Sequence, residues 1–118
     1  WIQTEDAFLK AKKSKSDELK EYRDLIWMSN LTTSFGIPFK TDMQTQLDIK
    51  GIIEMLLPEE IFEDYKCADG VYRDITREQF QLAVQEGIAR KTDAFAEEKQ
   101  LQEILENATT VEEINAIL

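Results

Sequence analysis

The sequence predicts a mainly α fold of the α+β kind, with two short β-hairpins among its helices. The expected order is helix, hairpin, helix, hairpin, long helix, short helix. Three observations carry that expectation. Asp69-Gly70 lies between two β-capable runs, Tyr65-Lys66-Cys67-Ala68 and Val71-Tyr72-Arg73-Asp74-Ile75. Thr76 and Gln79 follow at capping-box spacing and open a helix that can run to about Asn107, roughly 45 Å at 1.5 Å per residue. Apolar residues three and four apart recur on both sides of that stretch, the mark of helices with one buried face.

Composition bounds the rest. A chain of 118 residues is one domain at most and buries about two-thirds of its unfolded surface. Its hydrophobic fraction of 42% is ordinary for a folded protein. No run of about 18 apolar residues and no signal-peptide pattern occurs, so no membrane insertion is expected. One cysteine rules out an intramolecular disulfide. A net charge of −10 argues against nucleic acid as a partner, because phosphate binders present basic patches. The chain opens on Trp1 rather than Met, so a longer protein is expected. Residues 1–14 are read as the end of a preceding segment or a linker, and residues 15–118 as a single small helical domain with two hairpins.

Taken in order, the first stretch has apolar Trp1, Ile2, Phe8 and Leu9, with Thr4 as a cap. Ala11 to Asp17 is almost wholly polar and reads as a solvated helix or hinge with no core behind it. Leu19, Tyr22 and Ile26, with Leu25 beside them, form one apolar helical face, and Asn30 is the expected left-handed C-cap. Lys10 to Arg23 holds six basic residues against three acidic ones, whereas Asp42 to Leu118 holds 18 acidic against seven basic. The basic stretch is either a solvated face or a clamp for an acidic partner, such as the acidic half of another copy.

Leu31 to Lys40, with Gly36 and Pro38, predicts the first hairpin. Thr41 or Asp42 caps the next helix, with Gln44 at the box position if Thr41 is the cap. Leu47, Gly51, Ile52, Met55 and Leu56 are its apolar stripe, and Pro58 stops it. Gly51 on that stripe predicts close packing against a neighbour. The Asp69-Gly70 pair predicts a type I′ turn, which needs φ > 0 at both central residues. Ile75 and Phe80 then staple the start of the long helix, whose first-half stripe is Phe80, Val84, Gly87 and Ile88. Past Ile88 the helix turns polar, with Phe95 alone among large apolar residues until Leu101, Ile104 and Leu105. A last short helix is capped at Thr109 or Thr110, with Glu112 or Glu113 three residues on.

Little in this chain suggests chemistry. Without histidine there is no imidazole acid–base chemistry, no Ser-His triad and no imidazole metal ligand. Cys67 reads as a small buried hydrophobe, and the four glycines make no phosphate-cradling loop. Glu59-Glu60, Glu63-Asp64 and Asp69 lack the oxygen-ligand spacing of a calcium loop and read as a solvated acidic face. Trp27 and Tyr72 read as core-packed or buried along their stems, with contact to a partner as the alternative. No cofactor, no catalytic residue and no metal site is therefore expected.

Four runs resemble the domain of unknown function 4376 of bacteriophage tail and tail-fibre proteins. Leu19-Lys20-Glu21-Tyr22-Arg23-Asp24 is similar to its opening helix, and Gly36-Ile37-Pro38-Phe39-Lys40-Thr41-Asp42 to its first hairpin and second helix start. Tyr65-Lys66-Cys67-Ala68-Asp69-Gly70 is similar to its second hairpin, and Asn107-Ala108-Thr109-Thr110-Val111-Glu112-Glu113-Ile114 to its closing capped helix. The likeness covers about residues 15–118, and Ala68 departs from it where a bulkier residue is usual. It implies a phage-tail setting (the virion, after synthesis in the host cytoplasm) and no catalytic residues. The expected function is a non-catalytic structural or protein-interaction domain of a tail or tail-fibre protein; the alternative is a tail-fibre assembly chaperone. Expected partners are other phage tail proteins or copies of itself, as a homo-oligomer. Phe95, Leu101, Ile104 and Leu105 are the candidate partner-binding residues, covered either by the terminal helix or by a partner.

Overall fold

The computed structural model describes residues 2–118, with side chains from Glu5 onward. The roles expected of Trp1, Ile2 and the Thr4 side chain lie outside those residues. The elements are α1 (Ile2–Met28), β1 (Leu31–Thr32), β2 (Pro38–Phe39), α2 (Met43–Met55), β3 (Ile61–Lys66), β4 (Tyr72–Thr76), α3 (Arg77–Glu106) and α4 (Val111–Asn115). This is the predicted order. The contacts divide the chain into two compact units, one of the residues up to Ile26 with Thr92–Leu118, the other Trp27–Lys91.

The Trp27–Lys91 unit is built on two antiparallel hairpins that share one turn. In the first, the Gly36 N–H donates to the Thr33 carbonyl at 2.9 Å and the Thr33 N–H to the Ile37 carbonyl at 3.1 Å. In the second, Gly70 and Cys67 make the first bond at 2.9 Å, and Cys67 and Val71 the second at 3.0 Å. Gly36 and Gly70 have φ of +81° and +80°. A three-residue loop closed by a left-handed glycine has this pattern, a G1 bulge. The expected type I′ turn is thus corrected, because Asp69 does not have positive φ. Its carboxylate faces the strand instead, accepting from the Val71 N–H at 3.1 Å and from both Arg73 guanidinium nitrogens at 3.0 and 2.8 Å.

β3 starts four residues earlier than Tyr65, and a bulge between Phe62 and Tyr65 takes up the acidic pair Glu63-Asp64. Asp64 sits at φ +54°, its N–H bonded to the Asp74 carboxylate at 3.1 Å. The extra residue brings Phe62 and Tyr65 to one face, their ring centroids 5.9 Å apart. Both rings also meet Phe80 edge-on, at 6.2 and 5.1 Å. Phe80, Phe39, Ile49, Cys67, Ile75 and Ala83 form the buried cluster beneath.

The start of α3 is as predicted. The Gln79 N–H donates to the Thr76 hydroxyl at 3.0 Å, and the Gln79 side chain accepts from the Thr76 N–H at 2.9 Å. Ile75 and Phe80 are fully buried across that cap. α2 differs in detail. Asp42 is its N-cap without a side-chain cap bond, and Gln44 pairs with Asp48 instead of closing a box. Its buried face is Ile49 with Ile52, Ile53 and Leu56, while Leu47 and Met55 are exposed. Gly51 makes no close approach, since a Cβ there would meet nothing within 4 Å.

The end of α1 is capped from far along the chain. The Arg90 guanidinium donates to the carbonyls of Trp27, Ser29 and Asn30, and the Thr41 hydroxyl to those of Met28 and Ser29. These donors satisfy carbonyls that a helix end leaves unpaired. Asn30 therefore has no need of the left-handed conformation expected of it, and does not adopt it.

In the other unit, α1 runs antiparallel to the second half of α3. Lys12 pairs with Glu106, the Gln102 amide with the Ser16 carbonyl, and Arg23 with Glu98. Leu19, Leu105, Ala108, Ile114 and Ile117 are the buried cluster, with Phe8, Ala11 and Leu101 against it. The polar stretch from Ala11 to Asp17 therefore does have a core behind it, and α1 is unbroken through it. Lys15 is buried there, its ammonium 2.9 Å from the Ile117 carbonyl and 3.1 Å from Glu18. Thr110 caps α4, accepting from the Glu113 N–H at 3.1 Å, while the Glu113 carboxylate accepts from the Thr109 N–H at 2.8 Å.

Candidate functional site

The four residues expected to bind a partner are separated by their environments. Leu105 is 2% exposed in the cluster formed with α4, and Leu101 packs against the same cluster. Ile104, one position away on the helix, is 55% exposed. Phe95 is partly exposed beneath the Arg23 guanidinium, whose carbon lies 4.3 Å from the ring centroid. Arg23 is itself held between Asp24 and Glu98, both at 2.9 Å, which raises its pKa; Asp24 contributes most. Among these four, then, the terminal helix covers Leu101 and Leu105, and Ile104 faces outward.

A more continuous apolar surface lies in the Trp27–Lys91 unit. A groove of about 450 Å³ opens between α2 and the part of α3 up to Lys91. Buried Phe39, Ile49 and Ala83 form its floor. Its lips are Met43 and Leu47 on α2 and Val84 and Ile88 on α3, all exposed. Trp27 lines it as well, with the Lys91 ammonium 4.4 Å from the ring centroid. The charged lining residues are Lys40, Lys50 and Lys91 against Glu54 alone.

Leu47, Val84 and Ile88 were legible in the sequence as helical stripes, but as core rather than as an open surface. The signal that separates them is Ile49, an apolar residue between Asp48 and Lys50. Once Ile49 takes the buried face of α2, Met43 and Leu47 turn outward beside it. Tyr72 is likewise exposed, contrary to the expectation of core packing, since it lies on the outward side of β4.

Among the described residues, no group of three or more histidine, cysteine, aspartate or glutamate side chains is placed to hold a metal ion. Cys67 is buried within the aromatic cluster, and no helix among the described residues is long and apolar enough to cross a membrane. The pKa of the Asp69 carboxyl is lowered to about 2 by the Arg73 hydrogen bonds and the Val71 N–H. That pair closes a hairpin turn.

The model of a family described as Domain of unknown function (DUF4376) matches residues 10–118. The chain belongs to that family. No curated protein matches the chain, and no solved structure does. In this DUF4376 chain the match includes both hairpins, every groove residue named above and the capped terminal helix. It also takes in Lys12 and Lys15, the α1 lysines that bind the end of α3 and the Ile117 carbonyl.

Proposed function

We propose that this chain is a non-catalytic structural and protein-interaction module of a bacteriophage tail or tail-fibre protein. The observation that carries the interaction reading is the open groove. Met43, Leu47 and Ile88 are 69%, 55% and 60% exposed beside a buried apolar floor. A contiguous apolar surface of this kind on a folded domain marks a place where another molecule sits. The non-catalytic reading is supported by the absence of histidine from the sequence and by the use of the two-pronged ion pair of Asp69 with Arg73 in a turn. The tail setting is supported by the likeness of the hairpin and closing-helix runs to tail and tail-fibre domains. Under this reading the partners are other tail proteins or further copies of the chain, and the location is the virion.

Quantitative mass spectrometry of purified phage particles and of tail-assembly intermediates tests the setting. Recovery in the particle, at a fixed ratio to the tail proteins, is the expected result. Recovery in intermediates alone would make the protein an assembly chaperone, and absence from both would remove the tail reading altogether.

A further inference from the structure

We infer that the groove between α2 and α3 in the Trp27–Lys91 unit docks an amphipathic helix of a partner protein, with carboxylates flanking its apolar stripe. This rests on the interaction reading above and specifies the chemistry of the partner. The groove's shape gives the first argument. Met43, Leu47 and Ile88 line it and are still more than half exposed to solvent. A helix laid along the groove covers its buried floor and its exposed lips together.

Backbone chemistry gives the second. Both walls are helices, whose N–H and C=O groups are bonded within their own turns. An extended segment would lose its water there and find no ladder to replace it. A helix arrives with its backbone already satisfied. Met43 adds an unbranched side chain that adapts to the shape of an incoming stripe.

Charge decides the partner. Three lysines and one glutamate are the charged residues of the groove, on a chain whose net charge is −10. The local sign is therefore opposite to that of the molecule, and it favours a partner with carboxylates on either side of its apolar face. The same lysines disfavour a second copy as occupant. Groove-to-groove pairing about a two-fold axis presents one patch to itself, so Lys40, Lys50 and Lys91 of one copy would approach those of the other.

The test uses the full chain and a fluorescein-labelled helical peptide of about 16 residues, roughly four turns. The probe carries leucines at i, i+3, i+4 and i+7 flanked by glutamates. Two controls have the glutamates replaced by lysine, or the same composition scrambled to destroy the stripe. Fluorescence anisotropy should show one saturable site for the glutamate probe, at least about tenfold tighter than for either control. Ile88→Glu, at an exposed lip, should weaken binding about tenfold with an unchanged circular-dichroism melt. Lys40→Glu with Lys50→Glu should reverse the preference between the glutamate and lysine probes.

Equal binding of the scrambled probe, or indifference to Ile88→Glu, would overturn the inference. So would one-to-one binding of dodecanoate that the glutamate probe fails to displace. A dimer in analytical ultracentrifugation that Ile88→Glu converts to monomer would assign the groove to a second copy and overturn it too. Particle mass spectrometry reports separately. A chain present in particles with no helix docking leaves the tail reading standing on another surface; helix docking by a chain absent from particles and intermediates leaves the groove and removes the tail setting.

Discussion

Two glycines of the Trp27–Lys91 unit should respond to the same substitution with opposite sign. Gly51 lies inside α2 with helical backbone, and a Cβ there meets nothing within 4 Å. Gly51→Ala therefore adds no clash and gains helix propensity, about 1 kcal/mol of added stability. Gly70 also has open space where a methyl group would stand, but its φ is +80°. An L-residue held in the left-handed region costs about 1–2 kcal/mol, so Gly70→Ala should destabilise by that amount. The two variants should then differ by about 2–3 kcal/mol, although each adds one methyl group to the same unit. Urea titrations read by circular dichroism measure this directly, with similar m-values expected because neither change alters the surface exposed on unfolding. Gly51→Ala should raise the melting temperature by roughly 4 °C. A destabilised Gly51→Ala would mean that the glycine packs closely after all, and an unaffected Gly70→Ala would mean that the turn is not closed by a left-handed residue.

Other perturbations follow from the same contacts. Thr76→Ala removes half of the reciprocal cap and should cost about 1 kcal/mol, measured by chemical denaturation. Leu105→Glu places a carboxylate in the cluster around Leu19 and Ile114 and should unfold the unit containing α4, whereas Ile104→Glu should stay within about 0.5 kcal/mol of the parent in the same melts. The Asp69 carboxyl has its pKa lowered from 3.8 to about 2, so its contribution is present above 3.8 and is lost as pH falls from there towards 2. Acid titrations of the parent and of Asp69→Asn should therefore diverge above 3.8 and converge near 2; parallel curves would dissociate the Arg73 pair from stability.

What was legible in the sequence was mostly what neighbours along the chain decide. Thr76 and Gln79 are three residues apart, and their reciprocal bonds need nothing from elsewhere. Thr110 with Glu113 is the same case. The turn at Gly70 was half legible: glycine marks the left-handed position, but whether Asp69 shares it depends on loop length, and Arg73 draws the Asp69 carboxylate towards the strand. The bulge at Glu63-Asp64 was hidden because two acidic residues look like an exposed approach rather than part of a strand. Asn30 misled for another reason, since the cap comes from Arg90, sixty residues on. Lys15 looked solvated because nothing nearby in sequence announces the Ile117 carbonyl. The groove is the same problem in apolar form: helical period marks Leu47, Val84 and Ile88 as facing something, and only the packing of Ile49 and Ala83 shows which faces are already filled.

The unit containing α4 is discontinuous in sequence, and that shapes the order in which a ribosome can deliver it. Trp27–Lys91 is one uninterrupted segment, so its hairpins and aromatic cluster have all their parts once that segment has emerged. Leu19 is different, because its partners Leu105, Ile114 and Ile117 are translated more than eighty residues later. At 5–20 residues per second the delay from Leu19 to Leu105 is roughly 4–17 s, long against helix formation or collapse. Chains arrested shortly after Lys91 has cleared the exit tunnel should resist protease across the hairpins while α1 is still cut. During synthesis, then, α1 is a waiting length of chain with Phe8 and Leu19 uncovered, and it gains its lid only when the end of α3 and α4 arrive.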